Sequence, residues 1–444
     1  MREELIQKIK EAGVVGAGGA GFPTHVKVAA KAQIVIVNGA ECEPLLRVDQ
    51  QLMASQAAKV VMGLEIVMSI TGAGEGIIAL KSKYKDAIAA LEKEIAGKPI
   101  RIHILNDFYP AGDEHLIVYE STGRLIPQGG IPLKVDCIVN NVETLINIVD
   151  AVAGKPVTDT YLTITGEVNQ PMTIKLPIGT SIIAALGFAG YHDLEHMKII
   201  EGGPMMGNIV DDVAQPITKT TKGLILLPQD HPLIKSKTLP SDKVLRQSRV
   251  SCMQCRYCTD LCPRYLLGHK IEPHKMMLMV KHLQGDENTM KMAFSCSECG
   301  VCEQYACIMG LSPRAVNAML KHELSKMGIK PDPSPANRTV DPLRKHRKIP
   351  IKRLISRLAL TQYDQSAPLN EQNYPVHNVA IKLCQHIGAP CKPSVKVGSK
   401  VKKGDAIAFP PTNGIGACLH ASIDGVVKKI TNSIFISSSE GSEK

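Results

Sequence analysis

"CMQCRYCTDLCP", residues 252–263, places four thiols within eleven positions. Cys252, Cys255 and Cys258 stand three apart, and Cys262 follows with Pro263 behind it. The pattern returns as "CSECGVCEQYAC" (296–307). Cys296, Cys299 and Cys302 lie 44 positions further on, and Cys307 lies 45 after Cys262. Eight of the thirteen cysteines therefore belong to one internal repeat.

A loop with thiols at i, i+3 and i+6 can wrap three corners of a 4Fe–4S cube, and the fourth cysteine of such a run closes the other cluster in two-cluster ferredoxins. This assigns Cys252, Cys255, Cys258 and Cys307 to one cluster, and Cys296, Cys299, Cys302 and Cys262 to a second. A zinc ribbon and a redox disulfide are the alternatives. Zinc takes only four ligands per site, which leaves the third thiol of each run without a role. "EPHKMMLMVKHLQG" between the runs and "SPRAVNAMLKHELSKMG" after them read as helices. Residues 245–327 are thus expected to form an α-helical ferredoxin domain.

The 444 residues are 44% hydrophobic and 21% charged, ordinary globular composition for several domains. Tryptophan is absent, so the cores are mostly aliphatic. No uninterrupted apolar run reaches bilayer length, and "MREELIQKIKEAG" reads as an amphipathic helix, not a secretory signal. Clustered thiols without an export signal imply a reducing, cytoplasmic interior. The net charge of +10 includes seven Lys or Arg in "RKHRKIPIKRLISR" (344–357). Without stacking aromatics or a binding motif, nucleic acid is not the expected partner. The run reads as a solvated basic segment or docking surface.

In "GVVGAGGAGFPTHVK" (13–27), Gly16, Gly18 and Gly21 fit G-x-G-x-x-G. A Rossmann turn needs a preceding strand, and here the preceding residues have helical spacing. Glycines still let backbone amides approach a phosphate. The apolar strand "IVIV" (34–37) runs into "NGAECEP", placing Asn38, Glu41 and Glu43 at its carboxyl end. "GIIAL", "IRIHIL" and "VDCIV" are further strands, with helices over 51–70, 83–95 and 142–153. The result is an α/β layer with crevice loops at 16–24, 38–44, 109–114 and 140–144.

"GAGGAGFPTHVK", "NGAECEP", "YPAGDE" and "VNNVETLINIV" together resemble the FMN- and NADH-binding domain of the complex I flavoprotein subunit, here over 1–156. The resemblance implies that Gly16, Gly18, Gly19 and Lys27 hold the flavin phosphate and nearby groups. It implies that Asn38, Glu41, Glu43, Tyr109, Gly112, Asp113, Glu114, Asn140, Asn141 and Thr144 line the flavin and nicotinamide site. Glu41 and Glu43 are the catalytic candidates, Glu43 beside the nicotinamide. An arginine usual in that family is Ala17 here, and a usual aspartate is Ala40, changes that bear on nicotinamide affinity.

Residues 157–230 resemble the β-grasp (SLBB) domain that accompanies this flavoprotein family, and the glycines around Pro204 read as a tight turn. Residues 328–375 read as an extended linker carrying the basic run. Residues 376–440 resemble the barrel-sandwich hybrid of biotinyl and lipoyl domains. Their exposed hairpin "PPTNGIGACL" has no attachment lysine.

This multidomain α/β and α+β order of modules resembles the cobalamin reductases of propanediol-utilisation microcompartments. It implies an NADH-dependent oxidoreductase with FMN and two 4Fe–4S clusters. A corrinoid would be the acceptor, and a corrin adenosyltransferase or shell protein a further partner. The RnfC component of the Rnf ion-translocating oxidoreductase is the alternative, but its barrel-sandwich segment stands at the N-terminus. An electron conduit to a partner oxidoreductase, without NADH activity of its own, is the other.

Overall fold

The first module of the computed structural model is a sheet of four parallel strands; the structure describes residues 2–191, 193–282, 286–331, 339–412 and 414–438. The strand order is Ile100–Leu105, Glu75–Lys81, Ile34–Gly39, Cys137–Asn141. Side chains alternate across a strand. Val35 and Val37 therefore pack with helices Ala57–Thr71 and Val142–Val152, while Ile34 and Ile36 pack with Glu114–Thr122 on the other face. Burial on both faces is why this strand reads as an unbroken apolar run. The chain winds outward in opposite directions from Ile34–Gly39, so a crevice opens at the carboxyl ends there. Asn38 stands opposite Asn141 at that point.

The helix expected over 51–70 is two helices, Val48–Ser55 and Ala57–Thr71, meeting at 95°. Gln56 lies at the break, and its side-chain amide donates to the Tyr161 hydroxyl at 3.1 Å, tying the bend to the next module. Among the described residues no single helix is long and apolar enough to cross a membrane.

The second module is a mixed sheet containing Asp159–Gly166, Met172–Pro177, Met197–Glu201 and Gly223–Pro228, covered by helix Ile182–Phe188. The last module stacks two small sheets, one holding Asn378–Lys382, Ser433–Ser437 and Gly425–Ile430, the other Ala406–Phe409 and Leu419–His420.

Of the extended linker expected over 328–375, residues 332–338 lie outside the described residues, and residues 339–375 pack against the other modules. Ile349 and Pro350 pair antiparallel with Tyr109 and Phe108. Ile351, Leu354, Ile355 and Leu358 are buried with Tyr109 and Met205. Arg344 and Lys348 both reach Glu120, at 2.5 and 2.8 Å. The charge density of 344–357 concealed apolar residues at helical spacing, and these strap the segment across the first module. Leu369–Asn370 then joins the second sheet beside Met172–Pro177.

In the cysteine-rich module the two loops repeat in backbone as well as sequence. Gln254 (φ 58°) and Arg256 (φ 70°) are left-handed, and so are Glu298 (57°) and Gly300 (78°), their equivalents one repeat later. Such turns point successive N–H groups inward, toward a negatively charged group. The extra residue before Cys307 is absorbed in a π-helical turn, Val301–Ala306, where the first copy has the α-helical Tyr257–Asp260.

Candidate functional site

A cavity of about 720 Å³ opens at the crevice, and all four modules line it. The first contributes Gly18, Gly19, Asn38, Glu41, Glu43, Tyr109, Gly112, Asp113 and Asn141. Gly16, Lys27, Glu114, Asn140 and Thr144 stand behind this surface. Gly16 N–H closes the glycine loop on the Phe22 carbonyl at 3.0 Å, and Thr144 Oγ1 accepts from Ala17 N–H at 3.0 Å. The Lys27 ammonium donates to the Val139 carbonyl at 2.9 Å and meets Glu114 at 3.4 Å. Asn140 Nδ2 is buried with no hydrogen-bond partner among the described residues.

Each lining carboxylate has a distinct setting. Glu41, at φ 34°, accepts from the Asp49 and Gln50 N–H groups at 2.7 and 3.3 Å, at the start of helix Val48–Ser55. Glu43 accepts from Met205 and Met206 N–H at 2.9 and 3.0 Å and from the Tyr109 hydroxyl at 3.3 Å. Burial raises its pKa against those donors. The turn around Pro204 is therefore both a tight turn and a wall of the cavity. A Cβ on Gly203 would collide with the Glu43 carboxylate. Asp113 caps helix Glu114–Thr122 and pairs with Arg264 at 2.8 Å. Burial alone would raise its pKa, but the Arg264 guanidinium, His115 and the Leu116 N–H together hold it low.

Local motifs gave no sign of several lining groups. Asp49 is buried and accepts from Asn141 Nδ2 at 2.7 Å, while its Oδ1 has no partner among the described residues. Burial, with Glu41 adding, pushes its pKa up to about 7. Lys222 lies beside it, ion-paired with Glu143. Ser297 and Cys299 enter from the cysteine-rich module, and Lys382, Gln385 and His386 from the last.

The eight repeat cysteines fall into two groups, each drawing its fourth member from the other run. Cys262, Cys296, Cys299 and Cys302 surround one small cavity, and Cys252, Cys255, Cys258 and Cys307 another. Burial and neighbouring thiols push Cys258 up to about 12, and burial pushes Cys262 to about 12. Packed sulfurs that resist ionisation on their own suit a positively charged iron core, which lowers thiol pKa outright. Backbone N–H groups already point at them, Glu298 to Cys296 Sγ at 3.4 Å and Leu311 to Cys307 Sγ at 3.3 Å. Cys299 borders both its own cavity and the large one.

The large cavity likewise fits a flavin nucleotide. A Cβ on Gly19 would meet nothing within 4 Å, so its backbone is open to a ligand. Gly18 is constrained differently, since a Cβ there would lie 2.6 Å from Asn141 Nδ2.

Residues 9–150 match the Nuo51 FMN-binding domain family and 161–208 the SLBB domain. Residues 251–312 match the 4Fe-4S dicluster domain and 361–443 the RnfC barrel sandwich hybrid domain. Fold and site thus define a flavin- and iron–sulfur-containing oxidoreductase. The chain is 46% identical to cobalamin reductase PduS of Salmonella typhimurium, over 97% of this chain and 95% of that one. It is 45% identical to PduS of Citrobacter freundii over the same shares. The C component of the Na(+)-translocating ferredoxin:NAD(+) oxidoreductase complex of Acetobacterium woodii is 38% identical over 60% of this chain and 59% of its own. The chain belongs to the PduS family.

Proposed function

We propose that the protein oxidises NADH and reduces a corrinoid, cobalamin in the first instance, within a bacterial microcompartment. When bound, FMN accepts a hydride and gives up electrons singly, and two 4Fe–4S clusters carry one electron at a time. Gly18 and Gly19 would cradle the flavin phosphate, and Asn38, Gly112 and Asn141 its remaining polar edge. Glu43, kept proton-prone by burial, sits where a nicotinamide would approach. Cys252, Cys255, Cys258 and Cys307 would hold one cluster, and Cys262, Cys296, Cys299 and Cys302 the other.

One observation carries this reading: Cys299 lines both the large cavity and the second cysteine cage. The second cage is thus proximal to the flavin site and the first is distal, with Cys255 exposed at the surface. A corrin adenosyltransferase or shell protein would dock on that distal side. The substrate assignment draws on the kinship to PduS. Anaerobically reconstituted protein should bleach in the visible on adding NADH and then reduce a corrinoid. Absence of NADH bleaching would remove the dehydrogenase reading.

A further inference from the structure

The C-terminal module does more than append itself to the chain. Strand Asn378–Lys382 ends at the large cavity, and Lys382 lines it together with Gly18 and Gly19. The wall it forms is fixed in place. Ile387 N–H donates to the Gly21 carbonyl at 3.3 Å, and Lys219 N–H to Gln385 Oε1 at 3.1 Å. The buried Lys219 ammonium bridges the Gly13 and Cys418 carbonyls at 2.7 and 2.8 Å. Glycine loop, β-grasp domain and C-terminal module are therefore held as one piece around the cavity.

Charge shows what this wall can do. The lining is rich in carboxylates, Glu41, Glu43, Asp49, Asp113 and Glu201, so a phosphate entering it gains from a cation to face, beyond the backbone amides of the glycine loop. Lys222, Lys382 and His386 are the basic residues of the lining. Lys222 is committed to Glu143. His386 is buried, which lowers its pKa, and its Nε2 accepts from Ala417 N–H. Lys382 makes no ion pair among the described residues, and the turn that follows it, at Gln385 and His386, packs against Gly21 of the glycine loop.

We propose that Lys382 is a phosphate-binding residue of this cavity, supplying its cation from the C-terminal module. The phosphate is the flavin's monophosphate or the dinucleotide's diphosphate. The inference rests on the cavity being the flavin–nicotinamide site.

The test uses full-length protein with its clusters in place. Deflavinated protein is titrated with FMN and with riboflavin, and flavin-loaded protein is assayed for KM with NADH and with reduced nicotinamide riboside. Lys382→Glu should weaken FMN, or NADH, by about tenfold or more, the loss of one charge-assisted hydrogen bond. Riboflavin and the riboside should be unaffected, and Lys382→Arg should behave as wild type. The arm that changes names the phosphate's owner. Unchanged binding of both FMN and NADH by Lys382→Glu overturns the proposal, as does an equal loss of riboflavin, which would mark a structural role. Wild-type protein that binds neither FMN nor NADH would overturn the site reading itself, and Lys382's role with it.

Discussion

The Tyr109 hydroxyl donates to the Cys299 carbonyl at 2.7 Å, across 190 residues of sequence. It also reaches Glu43 at 3.3 Å, so one buried phenol joins the nucleotide cavity, the β-grasp turn that binds Glu43, and the proximal cage. Tyr109→Phe leaves the Cys299 carbonyl without its donor and removes the longer hydroxyl contact of Glu43, which keeps the Met205 and Met206 N–H groups. The expected cost is about 1–3 kcal/mol in stability by denaturant unfolding. Iron and flavin content should stay near wild type, while cluster bleaching by NADH slows in stopped flow.

The crossed cages predict how single cysteine losses behave. Intact protein should carry about eight irons and eight sulfides per chain. Cys262→Ala should damage the cage of Cys296, Cys299 and Cys302, and Cys307→Ala that of Cys252, Cys255 and Cys258. Mössbauer and EPR spectra of the two variants should therefore differ in the sense opposite to their positions in sequence.

The two central glycines should respond differently to substitution. Gly19→Leu places its side chain in open cavity, so flavin content falls while the unfolding midpoint stays close to wild type. Gly18→Leu drives a side chain into Asn141, so stability and flavin fall together. Flavin release on denaturation, read beside thermal unfolding, separates the two.

Asp49 links stability to pH. Its pKa is raised to about 7 in the folded protein by burial and by Glu41, against about 3.9 in an unfolded chain. The folded state therefore binds the extra proton between these values, and stability falls as pH rises through that window. The slope should be at most about 1.4 kcal/mol per pH unit. Unfolding from about pH 4 to 7 should show it for wild type and show it reduced for Asp49→Asn.

The strap makes a prediction from charge. Arg344 is buried against Glu120 and stacks 4.8 Å from the Tyr119 ring centroid. Arg344→Ala removes one of two cations from the half-buried Glu120 carboxylate, so it should cost less than the ~3–5 kcal/mol of a fully broken buried pair, Lys348 still reaching Glu120. Lys345→Ala, next to it and exposed, should change stability by less than about 0.5 kcal/mol.

What could be read in the sequence was what is local. The cysteine repeat carries its own geometry, since three-residue spacing recurs and the left-handed turns come with it. "IVIV" running into "NGAECEP" places a strand end and its acids together because a parallel strand buried on both faces has nowhere polar until it stops. The cavity's far walls were not legible. Asp49, Lys222 and Lys382 come from a helix start, a sheet entry and a strand end with no motif around them, and only tertiary packing brings them together. The basic run misled for a related reason. Its charges outnumber Ile349, Leu354 and Ile355, yet burial of those three decides where the segment lies. The glycine pattern points Gly18 at a phosphate but gives no sign that Asn141 packs against it as well.

The central claim is that electrons from NADH reach the acceptor by way of the cysteine cages. The direct measurement compares two acceptors on one full-length, flavin-loaded variant, Cys296→Ser/Cys302→Ser, in which the proximal cage is broken. Rates of NADH-driven reduction are taken anaerobically with a small dye and with cob(III)alamin. The account predicts that dye reduction persists, showing an intact nucleotide site, while corrin reduction collapses. Corrin reduction at the wild-type rate in that variant would contradict it.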